Sequence, residues 1–212
     1  MRALILKMSV SIDGFACGPG GELDWMFPTY DPEASAWTVA KISDVGLHIM
    51  GSRSYQDMAA HWPYSTEPVA APMNDIPKLI FSRRGAVALR EQLTTRALAD
   101  ARRNSDRTIA PDAERKRRAW ENAPVASGDL VAEITELKAQ DGKPVLAHGG
   151  VGFVQSLAAT GLIDELQLLT HPALLGRGLA PFAKLPAPLQ LELVESRRFP
   201  AGGVANVYRK KP

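Results

Sequence analysis

The sequence predicts an α/β domain with a mainly parallel central sheet, helices on both faces and a C-terminal antiparallel hairpin. Three observations carry the prediction. Short apolar runs alternate along the chain with segments of helical periodicity, the pattern of parallel strands joined by crossover helices. Two of these runs, Leu47-His48-Ile49-Met50 and Val145-Leu146-Ala147, end in a glycine turn that opens directly into a helix. The last two extended segments flank Arg198-Phe199-Pro200-Ala201-Gly202-Gly203, a long-hairpin signal at a sheet edge.

The elements follow in order. Residues 2–10 read as a buried first strand, and a long loop covers 11–31. Asp31 before Pro32 is an N-cap with proline at the first helical position, which starts a helix over about 32–45 with Trp37 on its apolar face. A strand at 47–50 leads into a helix at 53–62, where Tyr55, Met58, Ala59 and Trp62 stand at i, i+3, i+4 and i+7. A strand at 78–82 precedes an irregular or helical region over 85–122. A helix at about 128–140, a strand at 144–148 and a helix at 151–160 come next, the last with Phe153, Val154, Leu157 and Ala158 on one face. Strands near 163–171, 189–196 and 203–210 close the chain, and no internal repeat is visible.

Composition fits one globular domain. A chain of 212 residues has an ample core for a single domain. Its hydrophobic content of 45% and charged content of 23% are ordinary. A net charge of +2 calls for neither a nucleic acid nor a membrane partner. Cys17 is the only cysteine, which excludes an internal disulfide and a multi-cysteine metal site and suits a reducing cytoplasm, the expected location. The N-terminal apolar run is too short for a signal peptide or a membrane span. His61, His148 and His171 do not form a metal-ligand spacing, so no metal is expected.

The two glycine turns are the strongest functional signal. His148-Gly149-Gly150-Val151-Gly152-Phe153 reads as strand end, turn and helix start, and so does Gly51-Ser52-Arg53-Ser54. Glycine lets backbone approach a ligand closely. A helix that starts there aims free N–H groups at whatever lies beyond the strand end, and a phosphate suits them. Either turn alone is also explained by tight packing, and Ser52 or Ser54 by helix capping. Two such turns favour a dinucleotide, although neither has the G-x-G-x-x-G spacing.

Met50-Gly51-Ser52-Arg53-Ser54-Tyr55 resembles the M-G-R-x-T-[WY] segment of dihydrofolate reductases. The chain is more similar to their relatives, the reductase domain of bacterial riboflavin synthesis (the RibD C-terminal domain) and its stand-alone homologues. Ser9-Val10-Ser11-Ile12-Asp13-Gly14 resembles the S-x-D-G end of the first strand, and Lys78-Leu79-Ile80-Phe81-Ser82-Arg83 the third strand with its S-R. His148-Gly149-Gly150 resembles the G-G turn. Gly161-Leu162-Ile163-Asp164-Glu165-Leu166 with Pro172-Ala173-Leu174-Leu175-Gly176-Arg177-Gly178 resembles G-L-[IV]-D-E-L…P-x-x-L-G-x-G. The matches keep their order from the start of the chain to Gly178. They specify a fold family more than a substrate, and imply one dihydrofolate reductase-like domain over 1–212.

The resemblance implies hydride transfer from NADPH. The nicotinamide would lie near Ser11 at the end of the first strand. The pyrophosphate would lie between Gly51, Ser52, Arg53 and Ser54 on one side and Gly149, Gly150, Val151, Gly152 and Phe153 on the other. Ser82 and Arg83 would contact the 2′-phosphate, for which a strand-end Arg is a suitable reader. Asp13 and Asp31 are the candidate catalytic acids, although Asp13-Gly14 also reads as a turn pair and Asp31 as a cap. The family keeps an unusual peptide at the glycine pair, so Gly149–Gly150 is expected to be cis or strained.

One segment departs from the family. Between Ser82-Arg83 and Trp120-Glu121-Asn122, which resembles the family's W-x-N, lies a charged insertion at about 85–119. Arg83 to Arg118 holds eleven basic and five acidic residues. The insertion is expected outside the main sheet and to be removable. Three functions follow from these readings: a reductase of a pyrimidine- or pteridine-like heterocycle, close to 5-amino-6-(5-phosphoribosylamino)uracil reductase; a non-catalytic nucleotide-binding or regulatory module contacting RNA through the insertion; and a dihydrofolate reductase. Relatives pair subunits through the late strands, so a homodimer is expected through Val204, Val207, Tyr208, Leu168, Leu174 and Leu175.

Overall fold

The structure, a computed structural model, describes residues 1–85 and 112–211. Eight strands among them form one sheet: β1 (Leu4–Ser11), β2 (Leu47–Gly51), β3 (Lys78–Phe81), β4 (Val125–Ala126), β5 (Val145–Ala147), β6 (Glu165–His171), β7 (Leu191–Arg198) and β8 (Val204–Lys210). Their order is β4-β3-β2-β5-β1-β6-β8-β7. The first six are parallel, and β8 and β7 extend the sheet as an antiparallel hairpin. The described helices are α1 (Pro32–Ser43), α2 (Ser52–His61), α3 (Ala70–Asp75), α4 (Ala113–Glu121), α5 (Leu130–Ala139) and α6 (Val151–Ala159), with short 3-10 turns at Asp24–Thr29 and Trp62–Tyr64. The predicted α/β class and mainly parallel sheet with its terminal hairpin are what the structure has.

Strand β1 shows why the chain makes two layers of helix. Successive side chains of a strand face opposite ways. Leu4, Leu6 and Met8 pack with Ile49, Val145 and Ala147 against Ile134 of α5 and Val154 and Leu157 of α6. Ile5, Met50, Ile80 and Leu146 pack on the other face against Ile42 of α1, Tyr55 of α2, Met73 of α3 and Trp120 of α4. Further along that face Leu169, Ala205 and Val207 meet Ala34, Trp37 and Phe199. Parallel strands covered on both faces must be apolar on both, which is why these runs lack a clean alternation.

Two elements escaped the sequence: β4, of two residues, and α3, of six with Pro72 within it. Neither is long enough to show a period. Tertiary contacts hold both. Asn74 of α3 donates through Nδ2 to the Trp62 carbonyl (2.8 Å) and accepts from Trp120 Nε1 (2.8 Å). Trp120 is fully buried, its carbonyl accepts from Tyr55 Oη (2.8 Å), and the Lys78 ammonium lies 4.8 Å from its ring centroid.

Trp120 also bears on the charged insertion. Residues 86–111 lie outside the described residues, but the end of the predicted insertion does not. Residues 113–119 form α4 together with Trp120 and Glu121, and Ala113 is itself buried. Any removable segment therefore has to stop short of Asp112, because α4 carries a core tryptophan. Replacing Trp120 with Ala should destabilise the fold by about 3–5 kcal/mol, the usual range for a buried tryptophan. Urea unfolding measures it; a loss below about 1 kcal/mol would show that α4 is peripheral.

Candidate active site at the paired glycine turns

Strands β2 and β5 are sheet neighbours, with His48 opposite Leu146 and Ile49 opposite Ala147. Their glycine turns therefore meet, and α2 and α6 start side by side. Contact is close enough to forbid side chains. A Cβ on Gly51 would stand 2.7 Å from Phe153 Cβ, and one on Gly150 would stand 3.2 Å from Ser54 Oγ. Gly150 has φ 87° and ψ 85°, a conformation that favours glycine. No cis peptide is present among the described residues, so the Gly149–Gly150 link is trans and the unusual geometry resides in the Gly150 dihedrals instead.

Both helix starts lack a side-chain cap: Gly51 precedes α2 and Gly150 precedes α6. The contrast with α1 and α5 is direct, since Asp31 and Asp129 cap those by accepting from Ala34 N and Ala132 N, both at 2.9 Å. Ser52 and Ser54, candidate caps by sequence, do not cap α2. The first N–H groups of α2 and α6 are thus left for another acceptor. Phe153 serves the turn with its side chain as well, stacking on Phe81 at 5.1 Å between ring centroids. Gly152 and Gly14 have open space where a Cβ would stand. Arg53 is exposed on the first turn of α2, and Arg83 is exposed just beyond β3 beside buried Ser82.

The two candidate acids hold loops. Asp13 accepts from Ser11 Oγ (2.6 Å), Leu175 N (3.1 Å) and Gly176 N (2.7 Å). Asp31 accepts from Ala34 N through one oxygen and from Ala201 N (2.9 Å) through the other. These bonds, the one from Ser11 first for Asp13 and the one from Ala34 first for Asp31, hold both carboxyls below the usual carboxylate range. Both are ionised at neutral pH, and neither is poised to give up a proton. Asp13 ties the end of β1 to the 172–176 turn, and Cys17 with Leu179 adds a short bridge beside it. Asp31 ties the start of α1 to the β7–β8 hairpin.

Between these ties lies a polar group that the sequence reading passed over. Lys7 stands mid-strand in β1, on the face that carries Leu146 and Leu169. Its ammonium lies 5.4 Å from the Trp37 ring centroid, and burial lowers it to about 8. Across β6 lies buried Gln167, in register with Lys7. His171 at the end of β6 is buried, is hydrogen-bonded to Thr29 Oγ1 at 2.7 Å, and is lowered by burial to about 4. His148 at the end of β5 is buried and hydrogen-bonded to His48 of β2 at 2.8 Å. The signal for Lys7 was available: a lone charge inside the apolar run Leu4–Val10 has to face something other than core. Among the described residues no cluster of metal-ligating side chains occurs, and no helix is long and apolar enough to cross a membrane.

Comparison with known proteins places this geometry. The RibD C-terminal domain family matches residues 2–205. The chain belongs to that family. An uncharacterised Bacillus subtilis protein, YyaP, is 26% identical over 208 residues, covering 98% of this chain and 94% of its own length. A putative riboflavin biosynthesis protein from Shewanella superposes with a TM-score of 0.68 at 24% identity, over the whole of both chains. The diaminohydroxyphosphoribosylaminopyrimidine deaminase/5-amino-6-(5-phosphoribosylamino)uracil reductase of Thermotoga maritima gives 0.63 at 15% identity, over 99% of this chain and 57% of that one. Enterococcus faecalis dihydrofolate reductase, solved with NADP(H), gives 0.57 at 12% identity, over 99% and 97%. The fold is shared with the three solved structures, dihydrofolate reductase among them.

Several motif residues of this RibD C-terminal domain turn out to position backbone. Asp164 accepts from Leu4 N (2.8 Å) and pairs with Lys138 (2.6 Å), which anchors the start of β1. Gly178 leaves no room for a Cβ against the Cys17 carbonyl. Gly51 is confined by a side chain instead, through the Cβ of Phe153. Gly51→Ala should destabilise by about 1–3 kcal/mol through overpacking. The penalty should shrink in a Phe153→Gly background, because the obstructing Cβ is then removed. Thermal melts of the four proteins in that cycle test it; equal penalties in both backgrounds would separate Gly51 from Phe153.

Proposed function

We propose that this RibD C-terminal domain is an NADPH-dependent reductase of a small pyrimidine- or pteridine-like heterocycle. One observation carries the proposal: two uncapped helix starts, pressed together through glycine, beside a strand that carries a partly buried lysine over the Trp37 ring. The turns fit a dinucleotide, because they combine open space at Gly152 with unpaired N–H donors on α2 and α6. Gly51, Ser52, Arg53 and Ser54 would hold the pyrophosphate from one side. The backbone of Gly149, Gly150, Val151, Gly152 and Phe153 would hold it from the other. Ser82 and Arg83 would contact the adenosine 2′-phosphate, and Ser11 would border the nicotinamide. Bound there, the cofactor supplies a hydride, and the protein supplies orientation and electrostatics.

The proton that accompanies the hydride has a better source than the acids chosen from sequence. Asp13 and Asp31 already spend their oxygens on backbone N–H groups. Lys7, lowered to about 8, is mostly protonated at neutral pH and close enough to its titration point to give that proton up. We therefore assign Asp13 and Asp31 to loop positioning and Lys7 to proton supply. Dihydrofolate reduction is disfavoured by the same geometry: Glu33, the other acid at the start of α1, pairs with Arg197 at 3.1 Å. The Thermotoga reductase supports a pyrimidine substrate, since the two chains share a fold.

The late strands support a homodimer. Leu193 and Val194 on edge strand β7 are 52% and 46% exposed, and Leu174 is 72% exposed, while Val207 is already buried within the subunit. Light scattering at micromolar concentration should give twice the chain mass, and monomer alone would refute it. The cofactor reading is tested by titrating tryptophan fluorescence with NADPH and NADH. NADPH should bind more tightly. Arg83→Ala should remove most of the preference, since a charge-assisted contact contributes about 1.5–3 kcal/mol. An unchanged ratio would remove Arg83 from the site.

A further inference from the structure

We infer that His148 is a ligand-facing hydrogen-bond acceptor, fixed in that state by His48, and that with His171 it selects a ligand edge bearing N–H donors. The inference deepens the proposed reductase function and rests on that reading for where the ligand sits.

The assignment follows from which atoms are able to donate. His48 Nε2 lies 3.3 Å from the Pro72 carbonyl oxygen. A carbonyl only accepts, so His48 carries its proton on Nε2. A neutral imidazole has one N–H, which leaves His48 Nδ1 as a bare acceptor. His148 Nε2, 2.8 Å away, is then the donor. His148 in turn keeps a bare lone pair on Nδ1. The two nitrogens of an imidazole diverge, and His48 stands on the β2 side of β5. His148 Nδ1 is therefore directed away from β2, and β1, the neighbour of β5 on its other side, carries Lys7. Both rings are neutral at physiological pH. Burial depresses each, and the charged groups that face His148 are cations, Lys7 from β1 and Lys78 from β3.

His171 reaches the same state by a separate route. Thr29 Oγ1 donates its one hydrogen to the Met26 carbonyl at 2.9 Å. It must accept from His171 Nδ1, at 2.7 Å. His171 Nε2 is then bare, and it is buried without a partner among the described residues. Gln167 Oε1, beside Lys7 in the β1–β6 register, is also buried and unpartnered. A folded protein seldom leaves buried acceptors unmet. Acceptors on the same sheet face as Lys7 fit a ligand that brings N–H groups. The carboxamide of a nicotinamide has that edge, and so has the amino or lactam edge of a pyrimidine. An oxyanion would satisfy Lys7 alone.

The tautomers are directly observable. Long-range proton–nitrogen correlation spectra of protein carrying isotope-labelled histidine should show His48 and His148 protonated on Nε2 and His171 on Nδ1 at neutral pH, in the free protein. His148 protonated on Nδ1, or as imidazolium, would overturn the inference whether or not NADPH binds. His48→Phe removes the acceptor and should lose the fixed His148 tautomer. His48→Gln, whose amide oxygen accepts from His148 Nε2, should restore it; a tautomer unchanged in His48→Phe would show that His48 does not set it. NADPH and 2,4-diaminopyrimidine are then added separately. A shift of His148 Nδ1 to its hydrogen-bonded value with NADPH assigns the donor to the cofactor, and with diaminopyrimidine to the substrate. No shift with either, at concentrations that quench tryptophan fluorescence, would overturn the ligand role. Absence of quenching by NADPH alone would instead sink the cofactor reading and leave the diaminopyrimidine arm to decide.

Discussion

The close approach of Gly51 to Phe153 sets the geometry of everything around it. Strands β2 and β5 are adjacent, so the helices that follow them must start within one strand spacing of each other. That is possible only if one helix start presents bare backbone to the other. Gly51 supplies it, and Gly150 does the same toward Ser54. The pairing places two sets of free N–H groups side by side at one end of the sheet. The same contact blocks side-chain caps at both positions, so the packing that joins the helices also leaves them open to an anion.

Around that point the chain spends its carboxylates on geometry. Asp13 and Asp164 lie at opposite ends of β1 and accept from backbone N–H groups, and Asp31 joins the start of α1 to the terminal hairpin. For Asp13 and Asp31 these bonds hold the carboxyl below the usual carboxylate range. Four other groups are shifted the other way by burial. Lys7, His48, His148 and His171 are all on one face, and all are pushed toward their neutral forms by desolvation. The sheet thus separates two kinds of titratable group: acids that fix loops through backbone N–H groups, and bases desolvated on one of its faces.

The sequence reading was strong where a signal is local. The glycine turns, the Asp31–Pro32 helix start and the terminal hairpin each depend on a few consecutive residues, and each is where it was placed. The assignment of the chain to its family rested on the same short motifs. Asp13 and Asp31 show the limit. A motif acid looks alike in sequence whether or not it holds a loop, and the backbone partners that show the hold, Ala201 for Asp31 and Gly176 for Asp13, lie far along the chain. Lys7 shows the converse, since a charge within an apolar strand was visible but its neighbours were not.

The sequence by itself determined the alternation of strand and helix, the order of the elements and the two turns where backbone is bare, because periodicity, proline and glycine act over a few residues. Only the tertiary structure decided which of those residues meet. It joined His48 to His148 across 100 positions and Trp120 to Asn74 across 46, and it set Lys7 among Trp37, Gln167 and His171. Such pairings are fixed by strand order and register. Those are settled by burying two apolar faces at once, which no single stretch of the chain encodes.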